Sequence, residues 1–132
     1  MLTMPVNHQR MRNMVVRNLS PAPRGSGVVL TLKRVVAGEV DPTTGSIENT
    51  VEAYIGSGVR MRFSEWHHAN FDIPYSDYRI YLSPVLQDGT ECPAPEIDDT
   101  ILFLGDEAKV VNLKPFNENG VSCGWDVHVR TS

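Results

Sequence analysis

The sequence predicts a mainly β protein, a small antiparallel β-barrel or sandwich of about seven strands preceded by a short N-terminal helix or arm. Three observations point there. Short runs rich in β-branched and aromatic residues alternate between apolar and polar positions, and turns built on Gly, Pro and Asp separate them at close spacing. No helical period recurs between these runs, as a chain of βαβ units would require. At 132 residues the chain reads as one domain able to bury roughly 65 to 70 % of the surface of its unfolded form. Its parts are a basic arm or short helix over residues 1–27 and a β-barrel domain over residues 28–132.

The arm comes first. Met11, Met14, Val15 and Leu19 recur at helical spacing, with Arg10, Arg12, Arg17 and Asn18 mostly on the other side, which predicts a short amphipathic helix over residues 8–20. Ser20-Pro21-Ala22-Pro23 ends it, and Gly25-Ser26-Gly27 reads as a loose link to the first strand. So short a helix is marginal alone in water, so it must pack on its own barrel or on a neighbouring subunit.

Residues 28–55 hold two strands joined by a polar loop centred on Asp41-Pro42-Thr43-Thr44-Gly45, where Pro42 pre-sets φ, Asp41 bonds backbone N–H groups ahead of it and Gly45 takes positive φ. Val28, Leu30, Leu32 and Arg34 form one face of the first strand; Val51, Ala53 and Ile55 form the apolar face of the second. Gly56-Ser57-Gly58 reads as a bend before a third short strand, in which Val59, Met61 and Phe63 alternate with Arg60 and Arg62. Residues 64–77, SEWHHANFDIPYSD, show no sustained period and read as an irregular loop. Tyr78, Ile80 and Leu82 alternate with Arg79 and Tyr81 in the next strand, and an acidic, Pro-rich connector runs to Asp98-Asp99. The run TILFL at 100–104 suits a strand buried on both faces; a reversal at Gly105-Asp106 leads to residues 107–113, with Ala108, Val110 and Asn112 on one side. After a turn over 115–120, Val121, Cys123, Trp125, Val127 and Val129 share one face of the last strand.

The net charge of −4 is unevenly distributed. Residues 1–34 carry six basic and no acidic side chains, whereas residues 35–132 carry six basic and sixteen acidic ones. A basic end invites an acidic partner surface or a nucleic acid backbone, and an acidic body discourages nonspecific adhesion to DNA. No apolar run is long enough to span a membrane, and the first residues lack the apolar core of a signal peptide. Cys92 and Cys123 have no metal-ligand spacing and read as reduced thiols, with a bridge or a zinc site as the alternatives.

Chemistry-bearing motifs are sparse. His67-His68, near Glu65, Asp72 and Asp77, is the one cluster of metal-capable side chains, but adjacent histidines diverge on an extended chain. Asp98 and Asp99 point apart in the same way and shape a turn. No phosphate-cradling loop leads into a helix and no Gly-x-Ser-x-Gly motif occurs, so the expectation is a non-enzyme without cofactor or catalytic residue. Arg60, Arg62 and Arg79 with Phe63, Tyr78 and Tyr81 suggest, as one alternative, an OB-like single-stranded nucleic-acid-binding surface. A small metal enzyme using His67 or His68 is another.

A strand ending LTLKR, then Asp-Pro-x-Thr-Gly, a T-V-E-A-Y strand, an irregular middle loop, an acidic Pro-rich connector, a Gly-Asp hairpin into K-V-V-N-L and a closing W-D-V-H-V-R strand follow one another in fixed order. In that order they resemble the head-tail joining proteins of tailed bacteriophages, also called head-completion, stopper or neck proteins, over residues 28–130. The resemblance implies a non-enzymatic β-barrel, made in the host cytoplasm and built into the virion neck. Such proteins form sixfold or twelvefold rings that close the DNA-filled head beneath the portal or adaptor ring. They dock the tail or the next neck protein, and double-stranded DNA passes through them without sequence-specific binding. A tail-terminator or tail-completion ring is the near alternative. On this reading Arg10, Met11, Arg12, Met14, Val15, Arg17, Leu19 and Arg24 form a partner-binding arm. Glu65, Trp66, His67, His68, Phe71, Asp72 and Tyr75 form a loop facing the lumen or the adjacent ring.

Overall fold

The structure, a computed structural model, describes residues 8–118 and 120–131. Residues 1–7 of the expected arm, Asn119 in the expected last turn, and Ser132 lie outside the described residues. A helix α1 (His8–Leu19) precedes strands β1 (Val28–Val36) and β2 (Thr50–Arg62), a second helix α2 (Glu65–Phe71), and strands β3 (Asp77–Leu82), β4 (Thr100–Phe103), β5 (Asp106–Glu118) and β6 (Val121–Thr131). The strands close into an antiparallel barrel in the order β1-β2-β3-β6-β5-β4, with β4 returning to pair with β1.

Six strands replace the expected seven because Gly56-Ser57-Gly58 is not a bend. It is the middle of the continuous strand β2, where Gly56 and Gly58 face inward opposite Leu30 and Val28. A Cβ at Gly58 would stand 2.5 Å from the Tyr81 carbonyl oxygen and 3.1 Å from the side chains of Leu30 and Ile80, so only a bare backbone fits there. That parity carries up the strand. Tyr54 joins the interior, while Val51 and Ile55, expected to be buried, turn outward beside Val35 and Val29. Down the strand the same parity carries Arg60 over the rings of Tyr78 and Phe103 at 5.1 and 5.8 Å at the barrel's end, where its side chain stays exposed, and leaves Met61 outside.

The core is Leu30 and Leu32 from β1, Tyr78, Ile80 and Leu82 from β3, Ile101 and Phe103 from β4, Ala108 and Val110 from β5, and Val127 and Val129 from β6. β4 is therefore buried on one face only. Its hairpin to β5 turns on Leu104 and Gly105, both at positive φ (51° and 86°), one residue earlier than expected. β5 runs on through Pro115, and a register shift between Val110 and Asn112 exchanges its faces, so that Leu113 rather than Asn112 packs against the core. The irregular segment contains α2, capped by Ser64 at one end and by Asp72 in the left-handed region (φ 52°) at the other.

Candidate assembly interface

The predicted arm is a helix seated on its own barrel. α1 packs chiefly on β6, and Arg12, expected on the solvent side, is only 8 % exposed. Its guanidinium donates to the Ser122 carbonyl at 2.9 Å and to the Glu91 carboxylate, partners 110 and 79 residues away. Met11, Val15 and Leu19 lie half-buried toward the barrel, whereas Arg10, Met14, Arg17 and Arg24 are exposed. The 20–27 segment is not loose. Ser26 and Gly27 donate to the carbonyls of Asn18 and Ser20 at 3.0 Å, and a Cβ on Gly27 would overlap the Leu19 carbonyl. Between α1 and the barrel runs a largely apolar groove of about 600 Å³, walled by Val15, Leu19, Tyr81, Phe116 and Trp125.

The second predicted site is a compact aromatic cap. Ser64 Oγ accepts from the His67 amide and lies 2.6 Å from His67 Nδ1; His68 Nδ1 donates to the Ile73 carbonyl at 2.7 Å. The two histidines thus diverge, His67 toward Trp66 and Phe63 and His68 onto the Tyr75 ring, stacked at 4.1 Å. Trp66 meets Phe71 edge-on at 5.3 Å, and the Tyr75 hydroxyl donates to Glu65 at 2.9 Å, which pushes the phenol pKa up. Trp66 and Phe71 remain 60 % exposed and Tyr75 74 %. Asp72 serves as the cap at the C-terminal end of α2. Among the described residues, no three His, Cys, Asp or Glu side chains converge as metal ligands.

Sequence reasoning missed the anchor beneath this cap. The Asp77 carboxylate is fully buried and accepts from His128 Nε2 at 2.7 Å and from Arg130 Nε and Nη2 at 3.0 Å. Burial pushes the Asp77 carboxyl up, but the hydrogen bonds from Arg130 and His128 outweigh it and hold the group below its ordinary range. Phe63 packs on the His128 ring at 4.7 Å, joining the anchor to the cap. The signal was present in the W-D-V-H-V-R strand, whose polar positions 126, 128 and 130 share one face. Arg130 stands directly opposite Asp77, and Asp126, opposite Tyr81, reaches diagonally to Arg79.

The basic, aromatic surface considered for nucleic acid divides between the two faces of the sheet. Arg60 has the inward parity of β2 but stays exposed at the end of the barrel, over the Tyr78 ring and near Asp106, while Arg79 lies on the outer face over Phe63 and Tyr81 and is paired to Asp126. Asp99 is buried, binds Arg34 through Nε at 3.2 Å and Nη2 at 2.9 Å, and accepts from the Glu96 amide at 2.8 Å, so it builds a turn as expected. Cys92 and Cys123 are free and buried, and burial pushes the Cys92 thiol up to about 11. No helix among the described residues is long and apolar enough to cross a membrane.

A further exposed apolar face was not foreseen. On the outside of the β1–β2 ribbon Val35 and Val51, directly paired and 65 % and 62 % exposed, and Val29 and Ile55 form two apolar groups with Thr31, Lys33 and Ala53 between them. Beyond these groups, Val40 and Ile47 bridge across an exposed tip. No family model, curated protein or solved structure matches the chain.

Proposed function

We propose that the protein is a non-enzymatic structural component of a tailed-phage neck, a ring-forming subunit that closes the DNA-filled head beneath the portal and presents a surface for the tail or next neck ring. The observation that carries the reading is the exposed apolar patch on the outer face of the β1–β2 ribbon. Four exposed valine and isoleucine side chains share one face of this two-stranded ribbon, Val35 directly opposite Val51 and Val29 diagonal to Ile55, with only Thr31, Lys33 and Ala53 between the two groups. They are an apolar patch that another protein surface would cover. Two further features support an assembling subunit: the exposed aromatic cap of Trp66, Phe71 and Tyr75, and the basic outer face of α1. The order of motifs over residues 28–130 supports the neck in particular.

Solution mass measured by light scattering, alone and with purified portal rings or DNA-filled tailless heads, tests this. The expected result is a ring formed or captured on the heads. Capture by tail tubes instead would move the protein to the tail terminus. A monomer indifferent to both, whose mass shifts with a single-stranded oligonucleotide, would overturn the reading.

A further inference from the structure

Two exposed regions of this chain complement each other in charge. Arg10, Arg17 and Arg24 surround a shallow hollow on the outer side of α1, completed by Asn13, Met14 and Pro23. The tip beyond the last β1–β2 pair, residues 37–49, carries Glu39, Asp41 and Glu48 with no basic residue, and all three acids are exposed. Among the described residues, none of these six side chains forms an ion pair. The tip is ordered by its own bonds. The Asp41 amide donates to the Ser46 carbonyl and the Gly45 amide to the Asp41 carbonyl, both at 2.8 Å, and the bridge between Val40 and Ile47 closes it.

The two regions cannot meet within one subunit. The hollow adjoins the turn that feeds the start of β1 at Val28, while the tip begins beyond the end of β1 at Val36. A strand of nine residues at about 3.3 Å each holds them roughly 30 Å apart. We infer that the hairpin tip of one copy docks into the arginine hollow of the next, with Val40 and Ile47 meeting Met14 and Pro23 inside a frame of opposite charges. This rests on the ring reading above and gives it a contact. A contact between different surfaces of identical chains is head-to-tail, and head-to-tail contacts generate rings when the rotation closes. A duplex phosphate backbone is the other occupant an arginine hollow would accept; the tip, which offers exposed acids together with the apolar Val40 and Ile47 to a hollow of arginines with Met14 and Pro23, favours a second copy.

The test uses two charge-reversed full-length chains. One carries Arg10→Glu and Arg17→Glu; the other carries Glu39→Lys and Glu48→Lys. All four positions are exposed, and thermal melts check that both chains fold. Self-association is read by sedimentation at high protein concentration, with and without portal rings. Each variant alone should associate about a hundredfold more weakly than the parent, because its tip and hollow now repel. Mixed in equal amounts the two should regain the parental mass, since each reversed tip meets a reversed hollow and each native tip a native one. Parental rings from either variant alone, or no recovery on mixing, would overturn the contact while leaving a ring-forming protein. A parent that stays monomeric with and without portal rings would overturn both. Loss of binding to a short DNA duplex by the arginine variant, with its rings unchanged, would assign the hollow to phosphate instead.

Discussion

The aromatic cap at residues 64–77 and the hairpin tip at residues 37–49 are both exposed connections between neighbouring strands, yet they are held in different ways. The cap stands on a buried charge, Asp77, tied to two residues of β6, and its own rings stack on one another. The tip has no buried residue and relies on bonds within itself, such as the Thr43 amide on the Asp41 carboxylate at 2.8 Å. Exposure alone therefore does not distinguish a surface bound to the barrel's stability from one free to serve a partner. What distinguishes them is whether a group on the connection pairs with a distant strand.

Breaking the anchor is the strongest test of that contrast. Asp77→Ala leaves His128 and Arg130 without their shared acceptor and should lower the unfolding free energy by about 2 to 3 kcal/mol in urea titration. Because the folded carboxyl titrates below its unfolded value, the stability it supplies is present above the ordinary carboxylate range near pH ~4 and is lost as the pH falls through the folded value. The alanine variant should lack this part of the acid dependence; an unchanged acid profile would place the anchor elsewhere. Next in size is Arg12→Ala, which removes the hydrogen bonds to Ser122 and Glu91 and should cost about 1 to 2 kcal/mol, with faster amide exchange along α1. Unaltered exchange would mean that Val15 and Leu19 alone seat the helix. The smallest effect belongs to the tip. Val40→Ser with Ile47→Ser should leave stability within about 0.5 kcal/mol of the parent while weakening assembly, and a large loss of stability would make the tip part of the core.

Much of the strand pattern was legible from residue order. Leu30 and Leu32, Tyr78 with Ile80 and Leu82, and Val127 with Val129 are interior positions that the period of two exposes directly. The amphipathic helix was legible too, since Val15 and Leu19 do face the barrel. Glu65 to Phe71 escaped as a helix because seven residues give only two turns, too few for a period to show. In the site, the exposed arginines and aromatics were visible as residue types. The Asp77, His128 and Arg130 cluster was not, because its members are 51 and 53 residues apart in sequence.

By itself, then, the sequence determined the β class, most strand positions and the division between a basic front and an acidic body, since each follows from local composition and spacing. Tertiary structure alone decided that the sheet closes as a barrel, because closure rests on β4 pairing with β1 some seventy residues away in the chain. It also decided which parity of β2 faces inward. Alternation defines two faces but does not say which is inside; here the Tyr81 carbonyl stands where a Cβ at Gly58 would go, glycine faces inward there, and the same parity turns Val51 and Ile55 out to the surface.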